Sequence, residues 1–308
     1  MKPSIMHHAR VQPSKNSITT APNTSRFHLQ ADCGNCFGLC CVALYFSASD
    51  GFPAEKEAGL PCANLQPDYR CAVYKELLNK GLKGCTAFEC FGAGQMVSQV
   101  SFGGRDWRES QEAAALMFAV FLAMRQLHEM IWYLTDALER KAASPLSDAL
   151  HDLCSETERL TRLRSEELLK QDIGAHRDNV NQLLLQTSEL VRADARLGRA
   201  AGSERRRHPG KRADLCGRDL RNDDLRGADL RGAYLIAADL REMDLCGTDF
   251  IGADFRDTDL RGADLSKSLF LTQAQVNTAR GDQSTKLPGA LKRPAHWLVK
   301  APRSQSSD

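Results

Sequence analysis

The sequence "ADLCGRDLRNDDLRGADLRGAYLIAADLREMDLCGTDFIGADFRDTDLRGADLSKSLF" occupies residues 213–270 and repeats every five positions. A leucine or a phenylalanine recurs at the centre of twelve consecutive units. A period of five fits neither the helical period of 3.6 nor the strand period of 2. For all twelve side chains to share one interior, the chain must turn a corner in every unit, which predicts a solenoid. The predicted core residues of the repeat are Leu215, Leu220, Leu225, Leu230, Leu235, Leu240, Leu245, Phe250, Phe255, Leu260, Leu265 and Phe270.

The residue two positions before each central residue is small in most units, as at Ala228 and Ala233. This pattern resembles the pentapeptide-repeat family, whose motif is A(D/N)LXX. The resemblance implies a C-terminal right-handed quadrilateral β-helix with four units per turn. Residues 271–308 are expected to form a C-terminal cap and tail, because an open coil end exposes backbone groups and apolar side chains. The expected capping residues are Val276, Leu287 and Trp297.

The charges on the surface of the repeat indicate what kind of partner it could bind. Some members of the pentapeptide-repeat family mimic DNA and act on type II topoisomerases. Aspartate precedes the central residue in ten of the twelve units, but arginine follows it in six, and residues 213–270 carry thirteen acidic and eight basic residues. Because neighbouring opposite charges partly cancel, we expect a packing or protein-binding surface. A topoisomerase inhibitor or protector that mimics DNA is kept as an alternative.

Eight of the eleven cysteines lie in residues 31–105, which also contain many glycines. Zinc and iron–sulfur clusters are held by about four thiolates, and C-x2-C and C-x3-C spacings let one tight turn direct two sulfurs at one centre. We therefore predict a cysteine-rich metal-binding domain. Cys33, Cys36 and Cys40, together with Cys62 or Cys71, are the expected nearest ligands. The full set of predicted metal-ligating residues is Cys33, Cys36, Cys40, Cys41, Cys62, Cys71, Cys85 and Cys90.

The same cysteines resemble a family of zinc- or iron-chelating domains with a CxxxCC signature. The matching features are "CGNCFGLCC" at residues 33–41, Asp50, "PC" at 61–62, "RCAVY" at 70–74 and the late pair Cys85 and Cys90. The resemblance implies zinc or iron as the cofactor, including an iron–sulfur cluster. An iron–sulfur redox protein or enzyme is therefore an alternative function. Disulfides and a redox-active CxxC pair are further readings of the same residues.

The remaining chain separates into a helical region and polar connecting segments. Apolar residues recur at helical spacing through residues 106–198, which predicts a three-helix bundle or a long helical hairpin. Ser144 and Pro145 are expected to start the second helix, and Gly174 to end it. Residues 199–212 are a predicted basic linker, for which a solvated segment is favoured over nucleic-acid contact. Residues 1–30 are a predicted disordered lead.

Composition and motifs limit the function. The chain has 41 basic and 39 acidic residues, so net charge does not indicate a partner. Its longest apolar run, residues 113–124, is shorter than the roughly 20 residues of a membrane span, and no secretory signal is evident. No Ser-His-Asp set, P-loop or HExxH motif is present. We therefore expect a multi-domain, non-enzymatic protein of the bacterial cytoplasm. Its partner is expected to be a protein of unknown identity, and its oligomeric state stays open.

Overall fold

The structure is a computed structural model that describes residues 29–197 and 210–298. The predicted disordered lead lies outside these residues except for its last two positions. Most of the predicted basic linker and the last ten residues of the chain also lie outside them.

The regular secondary structure of the described residues is helical. Short 3-10 helices at Cys33–Asn35, Ala48–Asp50 and Tyr74–Glu76 punctuate the cysteine-rich region, and a π-helix follows at Met96–Ser101. Two further 3-10 helices lie at Lys141–Leu146 and Ala295–Leu298. The α-helices are α1 (Leu39–Val42), α2 (Lys83–Thr86), α3 (Ala93–Gln95), α4 (Gln111–Leu138), α5 (Ser147–Thr161), α6 (Ser165–Leu168), α7 (Ile173–Arg196) and α8 (Gln273–Thr278).

Helix α4 is the central element of the helical region. Ser110 caps it, because the Ser110 hydroxyl accepts a hydrogen bond from the Ala113 amide at 3.1 Å. By length and composition α4 passes the test for a helix that crosses a membrane, although the sequence analysis expected no such span. Half of its most apolar 18-residue window is buried inside the protein, as in a core helix. It packs against α5 and α7.

The predicted helix boundaries differ from the observed ones around Gly174. This glycine lies in the first turn of α7 and does not end the preceding helix. The start is set instead by Asp172, whose carboxylate accepts a hydrogen bond from the Ala175 amide at 2.9 Å. Ser144 and Pro145 belong to a 3-10 helix, and α5 begins three residues after Ser144. At the start of α7 this capping interaction outweighed the propensity of a single residue, whereas α5 begins without a side-chain cap.

The prediction of a C-terminal right-handed quadrilateral β-helix is wrong. Within the described residues there is no strand and no sheet, and residues 213–270 consist of turns joined by isolated parallel bridges. The bridged residues are 20 positions apart, as for Asp214 with Tyr234 and Asp239 with Asp259. Only one residue per unit forms a bridge with the next turn, although corner amides such as that of Gly217 also donate to that turn, and a single bridged residue is too short for a strand. We call residues 213–270 the repeat coil.

The interior of the repeat coil is closely filled. All twelve central leucine and phenylalanine side chains are at most 1% exposed. Inward-facing hydroxyls are also buried and donate to backbone carbonyls of the preceding turn: Thr248 to Leu225 at 2.6 Å and Thr258 to Leu235 at 2.7 Å. The interior therefore combines apolar burial with satisfied polar groups.

The C-terminal end of the coil is covered from two directions. Helix α8 carries Gln275, whose amide donates to the carbonyls of Phe250 at 2.8 Å and Ala253 at 2.9 Å. Val276 and Trp297 are buried and Leu287 is partly buried against the same core. From the helical region, the Trp132 indole donates to the carbonyl of Leu271 at 3.0 Å.

Helix α7 lies along one corner of the coil, and glycine makes this approach possible. Ala195 contacts the position that a Cβ atom at Gly247 would occupy, and Arg226 Nε donates to the Ala195 carbonyl at 2.7 Å. Gly247 also has a φ of 67°. A side chain there meets both backbone strain and α7.

We predict that Gly247→Ala destabilises the protein more than Gly252→Ala. Both glycines have a φ of 67°, so each variant pays the left-handed penalty of about 1–2 kcal/mol. Only Gly247 faces α7, whereas a Cβ at Gly252 meets nothing within 4 Å. Overpacking adds about 1–3 kcal/mol at Gly247. Urea unfolding of the two variants measures the difference, and equal losses of stability contradict the docking of α7 at this corner.

Candidate functional site

The cysteine-rich region contains free thiols only. All eleven cysteines lie within the described residues, and none of them forms a disulfide. Eight of them belong to residues 33–90, and the other three lie apart, with Cys154 buried in α5 and Cys216 and Cys246 on the repeat coil. We describe them as two groups, which Cys41 joins, because its charge acts on Cys33, Cys36 and Cys40 as well as on Cys71 and Cys85.

The first group consists of Cys33, Cys36, Cys40 and Cys90. Burial raises the pKa of Cys90 to about 12, and the charges of Glu89 and Cys36 add to this effect. A hydrogen bond with Cys41, then burial, then the charges of Cys36 and Cys90 hold the pKa of Cys40 well above its usual range.

Cys33 and Tyr74 also interact electrostatically with thiols of the first group. Burial, followed by the charges of Cys36 and Cys41, raises the pKa of Cys33. Burial also raises the pKa of Tyr74, and after it come the charges of Cys33, Glu89, Cys40 and Cys90. The Tyr74 side chain, which is 62% exposed, is thus within electrostatic reach of thiols of this group. The sequence analysis did not identify Tyr74 as a neighbour of the thiols.

The second group consists of Cys41, Cys62, Cys71 and Cys85. Burial raises the pKa of Cys85 to about 12, and the charges of Cys41, Cys62 and Cys71 add to it. The same two charges of Cys41 and Cys62, after burial, raise the pKa of Cys71. The Cys62 amide donates to the Cys41 carbonyl at 2.9 Å, which fixes these two segments side by side.

Lys56 supplies a positive charge to the second group. A hydrogen bond with Cys40 is the main cause that lowers the pKa of Cys41, and the Lys56 ammonium lowers it further. Burial lowers the pKa of Lys56, while the charges of Cys62 and Cys41 counter that effect. The ammonium also donates to the carbonyl of Val42 at 3.3 Å and to that of Leu44. Nothing in the sequence pattern singled out Lys56.

Backbone amides are directed at the sulfurs in both groups. Four of the eight sulfurs interact with the backbone N–H of the residue two positions further along the chain, a pattern that favours the thiolate form. The four pairs are Gly38 with Cys36, Asn64 with Cys62, Val73 with Cys71 and Gly92 with Cys90. Such N–H···S interactions are the kind of outer contact that supports metal-bound ligands.

The thiols converge without closing on an ion. Within residues 29–197 and 210–298, no group of three or more His, Cys, Asp or Glu side chains is placed closely enough to hold a metal. The residues expected as nearest ligands are also divided: Cys33, Cys36 and Cys40 lie in the first group, and Cys62 and Cys71 lie in the second. Cys90, the most distant in sequence, completes the first group.

One side of the repeat coil carries a regular ladder of ion pairs. We call it the ladder face, formed by Asp219, Asp239 and Asp259 with the arginines two positions after them. The pairs are Arg221–Asp219 at 2.7 Å, Arg241–Asp239 at 2.6 Å and Arg261–Asp259 at 2.5 Å. Arg221 also reaches Asp239 of the next turn at 3.2 Å. The aspartate column of this face is thus paired with an arginine column.

The side that follows Gly227 and Gly247 is covered by the helical region, and it contains a buried carboxylate. Asp249 is 0% exposed, and among the described residues its Oδ2 has no hydrogen-bond partner. Burial raises the pKa of Asp249 to about 6, and the nearby Ser188 and Arg231 counter only part of that shift. The Arg231 Nε lies 3.6 Å from Asp249 Oδ2. We call this side the covered face.

Comparison with known proteins agrees with the repeat. The family model for pentapeptide repeats matches residues 211–242 and 228–266, with eight copies of the unit. The turns, the buried central residues and this match together show that residues 211–266 are pentapeptide repeats. No solved structure matches the chain.

A relative from Bacillus subtilis (strain 168), named "Uncharacterized protein YybG", is 55% identical over 284 residues. The similarity covers 90% of this chain and 98% of the relative. The chain therefore belongs to the same family as YybG. The name of this relative states no activity.

We predict that the free energy of unfolding of Asp249→Asn increases relative to that of the wild type as the pH rises from about 4 to about 6. The pKa of Asp249 in the folded chain, about 6, exceeds the ordinary value of 3.8. The unfolded chain therefore releases its proton at lower pH, and the folded chain loses stability through this interval. The loss is constant above pH 6, at about 3 kcal/mol.

Urea unfolding of both proteins between pH 4 and pH 7 checks this prediction. Asp239→Asn is the control, because a hydrogen bond from Arg241 lowers the pKa of Asp239. That variant gains no stability over the same interval. If the stability difference between Asp249→Asn and the wild type does not change with pH, the raised pKa of the buried Asp249 carboxyl is contradicted.

Proposed function

We propose that the protein is a metal-binding scaffold that presents its repeat coil to a protein partner. In this function the cysteine-rich region holds zinc or iron through thiolates, and the metal stabilises a glycine-rich segment that has little apolar core of its own. The repeat coil contributes a rigid surface. No catalytic step is assigned to the chain.

The metal-binding part of this proposal is supported by one observation: eight thiols lie in the same region, and backbone amides are directed at four of them. Thiolates are the ligands that zinc and iron–sulfur clusters prefer, and N–H groups stabilise their negative charge. Unconnected structural cysteines need no such amides. By its chemistry the donor set fits a soft, thiolate-bound metal, and side chains of the described residues must move to bring the sulfurs to about 2.3 Å from an ion.

Free thiols in this number favour a reducing compartment, which supports the proposal of a cytoplasmic protein. The resemblance to the CxxxCC domains points to the same chemistry and stays a prediction. An iron–sulfur redox protein is the alternative for this region, and optical spectra distinguish it from a zinc protein.

The ladder face supports the interaction part of the proposal. The Arg221 and Arg261 side chains are 45% and 49% exposed. Exposed ion pairs contribute little to folding stability, so this face is available for recognition without cost to the fold. Because each aspartate is paired with an arginine, the face presents alternating charges and not the uniform negative strip of a DNA mimic. Such a face fits a protein surface with both kinds of charge.

We predict that the protein purified anaerobically contains zinc or iron, and that Cys33→Ser with Cys36→Ser lowers the bound metal. The double variant removes two sulfurs of one group, and a soft metal binds serine oxygen poorly. Elemental analysis and the optical spectrum of each protein provide the measurement.

Cys216→Ser is the matched control, because Cys216 is exposed on the repeat coil, away from the other thiols. It is expected to leave the metal content unchanged. Full metal retention in the double variant rejects the assignment. Visible absorbance that bleaches on reduction identifies an iron–sulfur cluster, whereas a colourless protein with bound zinc identifies a zinc centre.

We also predict that the ladder face, and not the covered face, contacts the partner in the cell. A photo-crosslinking residue at position 241 is expected to give a covalent adduct, since the Arg241 side chain is 37% exposed. The same residue at position 231, on the covered face where the arginine is 21% exposed, gives none. Denaturing electrophoresis with mass spectrometry detects the adducts. Adducts from position 231 alone, or from neither position, contradict this surface.

A further inference from the structure

We propose that one side of the repeat coil is a self-association surface, through which two copies of this chain form a symmetric dimer. This side consists of residues 213–217, 233–237 and 253–257, one unit from each turn, and we call it the Tyr234 face. The inference goes beyond the function proposed above, because it assigns a second surface of the coil and does not depend on whether the cysteines bind a metal.

The middle unit of the Tyr234 face departs from the composition of the other units. In ten of the twelve units the residue before the central leucine or phenylalanine is aspartate, and in only two units are both neighbours of the central residue apolar. One of these units contains Tyr234 and Ile236, and the other contains Leu269 and Leu271. Apolar side chains at positions that mostly carry charge indicate a surface that is removed from water.

The two apolar units differ in what covers them. Leu269 and Leu271 lie on the covered face and are 0% and 4% exposed, and Trp132 of α4 donates to the Leu271 carbonyl at 3.0 Å. Tyr234 is 52% exposed, and its ring and hydroxyl have no partner within residues 29–197 and 210–298. The helical region therefore accounts for one apolar unit, whereas the part of the chain that the structure describes supplies no cover for the other.

The charges beside Tyr234 match those of a second copy. Asp214 in the first turn is exposed and forms no ion pair with the described residues. Arg256 in the third turn pairs with Asp254 at 2.6 Å, and its side chain is 38% exposed. Arg221 of the ladder face contacts aspartates of two turns, so a guanidinium in this setting accepts a second carboxylate. The Tyr234 face thus presents a carboxylate, an apolar middle and an exposed guanidinium along the coil.

An antiparallel two-fold arrangement satisfies all three features. When the axis lies in the interface along the middle turn, Tyr234 of each copy meets the same residue of the other copy. The first turn of one copy then lies opposite the third turn of the other, which brings each Asp214 to the partner's Arg256. A parallel arrangement aligns the first turns with each other and leaves Asp214 without a cation. The charges therefore favour the antiparallel dimer.

The small size of the Tyr234 face limits the affinity. Three turns at a spacing of about 4.8 Å give a height of about 15 Å. Such a face falls short of the roughly 800 Å² per partner that a standard interface buries. Binding then depends on a few anchoring side chains, and tyrosine and arginine are the types that most often serve as such anchors. We expect a weak dimer with a dissociation constant on the order of 10 μM.

The concentration dependence of the molecular mass tests the proposal. Sedimentation velocity of the full chain under reducing conditions, from about 1 μM to about 100 μM, is expected to show a monomer that converts to a dimer. Tyr234→Asp with Ile236→Arg introduces the residues that recur at these positions in other units, so this variant is expected to fold and to stay monomeric. Ser266→Arg is the matched control, because it also introduces an arginine after a central residue but on another side of the coil. It keeps the wild-type dissociation constant.

Charge reversal tests how the two copies are arranged. Asp214→Arg opposes the partner's Arg256 and is expected to raise the dissociation constant by about tenfold or more, because like charges repel across the interface. Arg256→Glu is expected to have the same effect through Asp214. An equimolar mixture of the two variants restores the dimer, since both contacts of the mixed pair then join opposite charges.

The outcomes that overturn the proposal are distinct from those that concern the metal. A wild type that stays monomeric up to about 100 μM rejects the dimer, and a dimer that persists in Tyr234→Asp with Ile236→Arg rejects this surface. A monomeric mixture of the charge-reversal variants rejects the antiparallel arrangement. If circular dichroism shows that the double variant does not fold, a photo-crosslinking residue at position 234 decides: a covalent dimer supports the surface, and its absence rejects it. None of these results changes the measured metal content, so the metal-binding proposal is judged separately.

Discussion

The repeat coil depends on a left-handed backbone conformation at the last residue of most units. Positive φ occurs at glycines such as Gly217 and Gly232 and also at Ala237, Glu242 and Asp257, where a side chain raises its cost. This corner turns the chain every five residues and places each central leucine or phenylalanine inside. The buried interior in turn offsets the strain of the non-glycine corners. Corner and core therefore depend on each other, and neither is stable in an isolated unit.

The period of five was sufficient to predict the buried residues of the coil, because one interior for twelve apolar side chains allows few other paths. It was not sufficient for the secondary structure. Corners use most of each unit, so a single residue such as Asp239 pairs with Asp219 and Asp259, and bridges never extend into strands. The covered face was also not predictable. Gly247 and Asp249 follow the repeat like other units, and only the position of α7 distinguishes them.

The cysteine-rich region shows the same division between local pattern and tertiary contact. Spacing drew attention to the eight cysteines, and it grouped near neighbours in sequence. In the structure, Gly94 lies against the Cys36 sulfur and directs its amide at Cys90, so two cysteines that are distant in sequence approach each other. Lys56 escaped the sequence analysis, and Tyr74 entered it only as part of the RCAVY motif, because their relation to the thiols exists only in the folded chain.

The two parts of the proposed function meet at α2. This helix carries Cys85 of the second group, and its Lys83 forms an ion pair with Asp257 at a corner of the repeat coil. Helix α2 also contacts α8, whose Gln275 covers the end of the coil. An ion that fixed Cys85 would therefore fix the helix that joins the cysteine-rich region to the coil. A bound metal would act on the scaffold through geometry, because it would restrain a short helix that lacks a side-chain cap and has no buried residue of its own.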